Sequence, residues 1–509
     1  MTRPNILFIT SDQQHWNTIG KHFPEVKTPN LDRLANDGLL FTRAYCPNPT
    51  CTPTRASLIT GQFPSQHGAW ALGTKLPETA TTIGELLQAE GYDSSLIGKA
   101  HFQPLESTDE YSSLESYPLL RDLDFWRGFN GPFYGFNHVE LARNHCDEAH
   151  VGQHYALWME EKGLPDWKDH FQNKWGPFDF TDGKPNVSQR HAWTLPEEYH
   201  YDNWITERSI ARMDHCREND KPFFVWASYF DPHPPYLVPE PWASMYDPAD
   251  VTVPQAMPGE HENSAPYIQE TQKQKPNFDY PPGEGNWNHG MGSHLQDRDD
   301  LAKDIAVYYG MISMMDHYIG KLLDYLDETG QRENTLIVFT TDHGHFYGHH
   351  GLNAKGPFHY EDEIRVPMIA SWPGQIPAGV ETAALQSLVD IPVSFLKAVG
   401  APVPNDMQGV DQLRVWRGEA DSVRDHCVVE FRQQPTAIHL KTYVNERYKL
   451  TVYYNKPYGE LFDLQEDPGE YRNLWNDPEA ANLKAELMQK LVFAEMGKEP
   501  MWMPRIAGA

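Results

Sequence analysis

A chain of 509 residues is too long for one minimal core, and its 39% hydrophobic, 12% aromatic composition is globular, without low-complexity runs. A formal charge of −29 argues against nucleic acid as a partner and leaves any small anionic ligand to be drawn in by a local basic pocket. No apolar run reaches the length of a membrane span and no basic segment precedes a long apolar one at the N-terminus, which predicts a cytoplasmic protein with no membrane partner.

In chain order, "NILFITSD" (5–12) is a β-branched apolar run ending in polar residues, the pattern of a buried parallel strand. "TPNLDRLANDGLLFTRAY" (28–45) spaces Leu31, Leu34 and Ala35 for a helix, with Asn30 as N-cap and Gly38 as stop. "TTIGELLQAEGYDSSLIGKAHF" (81–102) repeats the plan of helix, glycine stop at Gly91, strand and polar end. "KPFFVWASYFDPHPPY" (221–236) reads as a strand running into a proline-rich loop. Residues 304–330 form a long amphipathic helix, followed by the strand "NTLIVFTTDHG" (334–344). Residues 103–200 and 240–300, rich in Trp, Tyr, Gly, Pro and His, read as insertions capping one face and carrying selectivity. After about residue 400 the texture changes to the short strand "RYKLTVYY" (447–454), the turn-rich "GELFDLQEDPGEYRNL" (459–474) and a closing helix.

This alternation predicts an α/β fold: a large, mostly parallel central sheet flanked by helices in a catalytic domain of residues 1–400, and a small α+β domain over 401–509. In parallel sheets the chemistry lies beyond the carboxyl ends of the strands. Asp12, Lys99 with His101, Asp231 with His233, and Asp342 with His343 all fall there.

"NPTCTPTRASLITG" (48–61) fixes Cys51 between Pro49 and Pro53, with a helix beginning near Pro53 and Arg55 four residues on. A helix N-terminus favours an anion, and Arg55 can reach back to it. Cys46, Cys146, Cys216 and Cys427 are read as structural, since five cysteines with no Cys-x-x-Cys pair suit a reducing compartment and argue against disulfides or structural zinc. His345, His349 and His350 in "HGHFYGHH" are read as solvated loop residues ahead of pocket-lining or accessory-metal ones, and His67 as a helix-end contact close behind Cys51. "FWRGFNGPFYGF" (125–136) is either an aromatic substrate wall or packing.

Cys51-Thr52-Pro53-Thr54-Arg55 followed by "ASLITG" resembles the motif of the formylglycine-dependent sulfatases in the alkaline phosphatase superfamily. "SDQQ" (11–14), "TPNLDRLANDG" (28–38), "IGKAHF" (97–102), "DPHPPY" (231–236), "TTDHG" (340–344), "KGPFHYEDEIRVPMI" (355–369) and "LFDLQEDPGEYRNL" (461–474) extend the resemblance in order over nearly the whole chain. It implies an alkaline-phosphatase-like fold and oxidation of Cys51 to Cα-formylglycine by a formylglycine-generating enzyme. The aldehyde hydrate attacks the ester, and its second hydroxyl allows the bound group to be released.

By the same resemblance Asp12, Gln13, Cys51, Asp342 and His343 hold one divalent metal ion. Asp12-Gln13 stands where many sulfatases have two aspartates, and Asp342-His343 where they have Asp-Asn. One carboxylate fewer and one imidazole more tilt the site from Ca²⁺ or Mg²⁺ towards Mn²⁺. Those pairs resemble the phosphonate monoester hydrolase branch, whereas the Lys99-x-His101 pair resembles the sulfatases. The catalytic roles implied are Lys99 and Lys355 on the sulfuryl oxygens, His233 or Lys355 as the acid for the leaving alcohol, and His101 as base, with Arg55 beside the nucleophile. The expected substrate is a small anionic ester: an aryl or small organic sulfate, or alternatively a phosphonate monoester or phosphate diester. Homo-oligomers, dimers or tetramers, are expected by analogy.

Overall fold

The computed structural model describes residues 3–143, 151–171, 190, 193–273, 297–432, 438–500, 503, 506 and 507. Parts of both expected insertions, and Cys146, lie outside these. The central sheet consists of β1 (Asn5–Ser11), β2 (Leu39–Tyr45), β3 (Asp93–Gly98), β4 (His138–Leu141), β5 (Phe223–Ser228), β6 (Thr335–Thr341), β7 (Arg365–Ser371), β8 (Val380–Thr382) and β9 (Gln386–Ser387). Among the described residues the strand order is β4-β3-β5-β1-β6-β7-β2-β8, with β9 also paired to β2. All pairings are parallel except those of β7, which runs antiparallel to both β6 and β2. The region read as an insertion therefore supplies an edge strand, β4, as well as loops.

The central strands are apolar on both faces because both faces are covered. In β1, Ile6 and Phe8 enter one cluster with Trp226 and Val338, while Leu7 and Ile9 enter the other with Val225 and Ile337. The long helix Arg298–Glu328 covers the second face together with the helix Tyr201–Glu218. The stretch 125–136 is packing rather than an open wall, with Trp126, Phe133 and Phe136 all buried in the first cluster.

Local signals set most boundaries, and long-range contacts correct two of them. The first helix runs Pro29–Asn36 with Thr28, not Asn30, at its N-cap. Its orphan N–H groups are met from outside, since the Asp316 carboxylate accepts from Asn30 N at 3.1 Å and Leu31 N at 2.7 Å. The helix expected to begin near Pro53 begins two residues earlier, spanning Cys51–Thr60. Pro53 is tolerated there because its missing N–H falls in the first turn, which lacks intrahelical acceptors.

A second, antiparallel sheet follows in the order β10 (Cys427–Arg432), β11 (His439–Val444), β12 (Tyr448–Tyr453) and β13 (Gly459–Asp463), backed by the helix Ala481–Gly497. β13 occupies the start of the segment read as turn-rich. Phe431, Leu440, Tyr453 and Phe462 from this sheet share a core with Phe346, Leu352, Phe358 and Tyr360. The second sheet thus supports the loop that follows β6.

Gly98 ends β3 at φ +107°, and a Cβ there would lie 2.0 Å from the Ser228 carbonyl oxygen. That close approach fixes where Lys99 leaves the sheet. Gly98→Ala is expected to destabilise the protein by more than about 2 kcal/mol, since it adds a clash to a left-handed strain. Gly497→Ala, whose Cβ meets nothing within 4 Å, is the control for the thermal melts. Equal melting shifts for the two would refute this account of Gly98.

Candidate active site

Five chain segments meet beyond the carboxyl ends of the strands. Asp12 and Gln13 follow β1, Lys99 and His101 follow β3, His233 lies in the loop after β5, and Asp342, His343 and Lys355 follow β6. The fifth segment is the helix Cys51–Thr60, which presents Cys51 as its first residue. Asn48 holds this entry: its Oδ1 accepts from Thr50 N at 2.8 Å, and its carbonyl accepts from Thr54 Oγ1 at 2.6 Å. His67 ends the short helix Pro64–His67 and meets Ser57 Oγ and the Pro53 carbonyl, a contact behind Cys51.

Cys51 Sγ is the centre of the arrangement. It lies 2.9 Å from Lys355 Nζ, 3.2 Å from His343 Nε2, 3.8 Å from Asp12 Oδ1 and 3.9 Å from Lys99 Nζ. Lys99 Nζ also donates to Asp12 Oδ2. Arg55, one turn into the helix and fully buried, donates through Nε to Asp342 Oδ2 at 2.8 Å and through a terminal nitrogen to Asp12 Oδ2 at 3.4 Å. Its other terminal nitrogen donates to the Lys99 carbonyl at 3.0 Å and Ser228 Oγ at 2.8 Å.

The local charge is opposite in tendency to that of the whole chain. Arg55, Lys99 and Lys355 face two carboxylates, Asp12 and Asp342, all buried. Burial and Asp12 push the Cys51 thiol up, but Lys355 and Lys99 pull it down, and the net shift is downward. Burial lowers Lys355 as well, yet Cys51, Asp12 and Asp342 together raise it above its ordinary value. Lys355 is therefore an ammonium here. Burial, then Lys355 and Lys99, holds His233 well below the usual imidazole range. Its Nδ1 donates to the Pro234 carbonyl, and its Nε2 accepts from Lys355 Nζ at 3.0 Å.

His101 is also neutral, for burial, then Arg143, then Lys99 oppose its charging. It sits at φ +60°, and Glu115 grips the turn, accepting from the backbone N–H groups of His101, Phe102 and Gln103 at 2.7–2.9 Å. Neither Glu115 nor Arg143 was singled out from sequence. Arg143 follows β4 and so shares the strand-end placement that exposed the others, but β4 itself went unrecognised. Asp231 faces away from Cys51 chemistry. Its carbonyl accepts from Asp12 N at 3.1 Å, and its carboxyl accepts from Tyr201 and is raised by burial to about 7.

Asp12, Cys51, Asp342 and His343 bring one donor atom each within 4.8 Å of one another. His343 Nδ1 donates to the Gly344 carbonyl at 3.0 Å, which leaves Nε2 with its lone pair towards Cys51. Gln13 donates its backbone N–H to Asp342 Oδ1 at 3.1 Å, and its buried Oε1 has no hydrogen-bond partner. Two carboxylates, one imidazole and an unpaired amide oxygen fit a divalent cation of intermediate hardness.

The glycine-rich loop after β6 departs from the sequence expectation. His345 and His350 are buried rather than solvated, and the side chain of His349 is 31% exposed. His345 bridges Gln13 Nε2, 3.1 Å from its Nδ1, and Tyr236 Oη, 2.6 Å from its Nε2. The described cysteines other than Cys51, namely Cys46, Cys216 and Cys427, are buried and free. No helix among the described residues is long and apolar enough to cross a membrane.

The Sulfatase family model matches residues 4–401, and the model for the N-sulphoglucosamine sulphohydrolase C-terminal region matches residues 348–496. The chain is 28% identical to the multifunctional alkaline phosphatase superfamily protein PehA of Trinickia caryophylli, over 96% of this chain and 95% of that one. It is 27% identical to an arylsulfatase of Clostridium perfringens, over 98% and 95%. The phosphonate monoester hydrolase of Agrobacterium radiobacter superposes with a TM-score of 0.76 at 25% identity, covering 97% of this chain and 96% of that one. With its mostly parallel sheet and this constellation at the strand ends, the chain belongs to the sulfatase family, hydrolases of the alkaline phosphatase superfamily.

Proposed function

We propose that the protein hydrolyses sulfate monoesters, aryl or small organic, through a formylglycine hydrate derived from Cys51. The observation that carries this reading is the convergence of two ammonium groups, Lys355 and Lys99, at 2.9 and 3.9 Å from Cys51 Sγ. Cys51 Sγ marks the position of the nucleophilic hydroxyl. A divalent ion held by Asp12, Gln13, Asp342 and His343 would polarise the ester and favour the ionised hydroxyl, and the donor set favours Mn²⁺ over Ca²⁺ or Mg²⁺.

The chain's own groups divide the remaining work. Lys99 and Lys355 bind the sulfuryl oxygens in a buried site where such charge counts most. Lys355, protonated and hydrogen-bonded to neutral His233, supplies the proton to the leaving alcohol, and His233 Nε2 keeps that ammonium oriented. Neutral His101 is suited to take the proton of the second hydroxyl at position 51. Arg55 fixes both carboxylates and does not itself need to move. Because Cys51 is only 1% exposed, the formylglycine-generating enzyme has to read Cys51–Arg55 before folding buries it.

A second reading, phosphonate monoester or phosphate diester hydrolysis by the same nucleophile, draws support from the Asp12-Gln13 and Asp342-His343 pairs and from the likeness to the Agrobacterium enzyme. Comparing kcat/KM for an aryl sulfate and an aryl phosphonate monoester with one leaving group separates the two, on protein whose Cys51 peptide mass shows the aldehyde. We expect sulfate to be preferred; a preference for phosphonate would establish the second reading.

Cys51→Ala is expected to keep the fold and lose turnover by at least about 10⁴-fold. Asp342→Asn is expected to lose the divalent ion of this site and activity together, measured by elemental analysis and rate on the same sample. Full metal content with full rate would show that Asp342 is not a ligand.

A further inference from the structure

A second cluster of ligand-type side chains lies beyond the catalytic centre, where the loop after β6 folds against the segment after β1. His15, His349 and Asp362 bring one donor atom each within 4.8 Å of one another. His15 Nε2 lies 2.9 Å and His349 Nδ1 3.6 Å from the same carboxylate oxygen, Asp362 Oδ1. The two imidazole rings are inclined by only 8°, with centres 5.2 Å apart. Two imidazoles bound to one ion at about 2.1 Å place their ring centres about 5 Å apart, so the spacing suits a shared cation once the stacked rings turn to aim their in-plane lone pairs at it.

The surroundings are those of a supported ligand set. The other carboxylate oxygen, Asp362 Oδ2, is held by His350 Nε2 at 3.3 Å, and His350 stacks on Tyr360 with ring centres 4.0 Å apart. Such a partner fixes the orientation of a ligating carboxylate. His15 is only 2% exposed, while the His349 side chain is 31% exposed, leaving the cluster closed on one side and open to water on the other.

We propose that His15, His349 and Asp362 form a second metal site, distinct from the catalytic one, for a transition-type divalent ion such as Zn²⁺. Two imidazoles and one carboxylate select such ions over Ca²⁺ and Mg²⁺, and three protein ligands leave positions for water or an anionic group. Binding uses the other tautomer of His15. The proton leaves Nε2, which now donates to Asp362, for Nδ1, which then donates to Tyr347 Oη 3.3 Å away and gives up its bond from Asn17 N. No proton is released in that exchange. His345, which links Gln13 to Tyr236, packs against Tyr347 with ring centres 5.9 Å apart, so the second site adjoins the catalytic one without sharing a ligand with it.

The test is stoichiometric. Chelator-treated full-length protein is titrated with Zn²⁺, and bound metal per chain is measured after desalting. The wild type is expected to hold two equivalents and His349→Ala one, with thermal melts confirming that the variant is folded. Co²⁺ loaded into Asp342→Asn protein provides the second measurement. Its visible absorption is expected to persist there, reporting the second site alone, and to fall at least tenfold when His349→Ala is added. One equivalent in the wild type, or two in His349→Ala, would overturn the proposal and leave Asp362 as a carboxylate hydrogen-bonded by imidazoles.

Discussion

The structure turns on burying Arg55 without leaving it uncompensated. A guanidinium at 0% exposure is tolerable only where its donors meet acceptors, and here they meet the carboxylates of Asp12 and Asp342, a backbone carbonyl and a serine hydroxyl. Those acceptors come from the ends of β1, β3, β5 and β6. One side chain therefore ties four strands and the Cys51 helix into a single arrangement. Removing it would leave Asp12 to Lys99 and Asp342 to backbone N–H groups, so Arg55 positions both carboxylates as well as balancing their charge.

Parallel strands explain why so many polar groups reach one point. β1, β5 and β6 are apolar on both faces through their middles, and polar residues begin at their carboxyl ends, where the chain leaves the sheet. Asp12, Lys99 and Asp342 follow that rule directly. The second sheet completes the arrangement from below: its aromatic residues pack on Phe346, Phe358 and Tyr360, and so hold the loop that carries His343 and Lys355.

The parts legible in the sequence were those with a local signature. β1, β3, β5 and β6 showed as apolar runs with polar ends, and Cys51 with Arg55 showed as a constrained helix entry. What stayed hidden depends on contacts distant along the chain. Asp316 caps a helix more than 280 residues away, which no local cap rule can find, and Asn30 was the nearest substitute. Glu115 sits in an aperiodic loop and acts only through backbone N–H groups that another segment brings to it. The histidines after β6 looked solvated because a loop rich in glycine and histidine usually is. Tyr308 from the long helix and Tyr360 cover His345 and His350, while Tyr347 of the loop itself packs on His345 and His349.

Net charge and local charge then serve different ends. An acidic exterior repels anionic esters, and attraction takes over only at short range, where a divalent ion would join Arg55, Lys99 and Lys355. With the cationic floor buried, the proposed reading makes affinity for the anionic group common to sulfates, phosphonates and diesters. Discrimination must then come from what the leaving oxygen needs in the transition state. On the proposed mechanism the neutral His233 beside Lys355 answers that need, because it can orient the donor without competing for negative charge. Specificity on this reading is a matter of proton supply at the floor of the pocket, with the surrounding loops selecting the organic part of the ester.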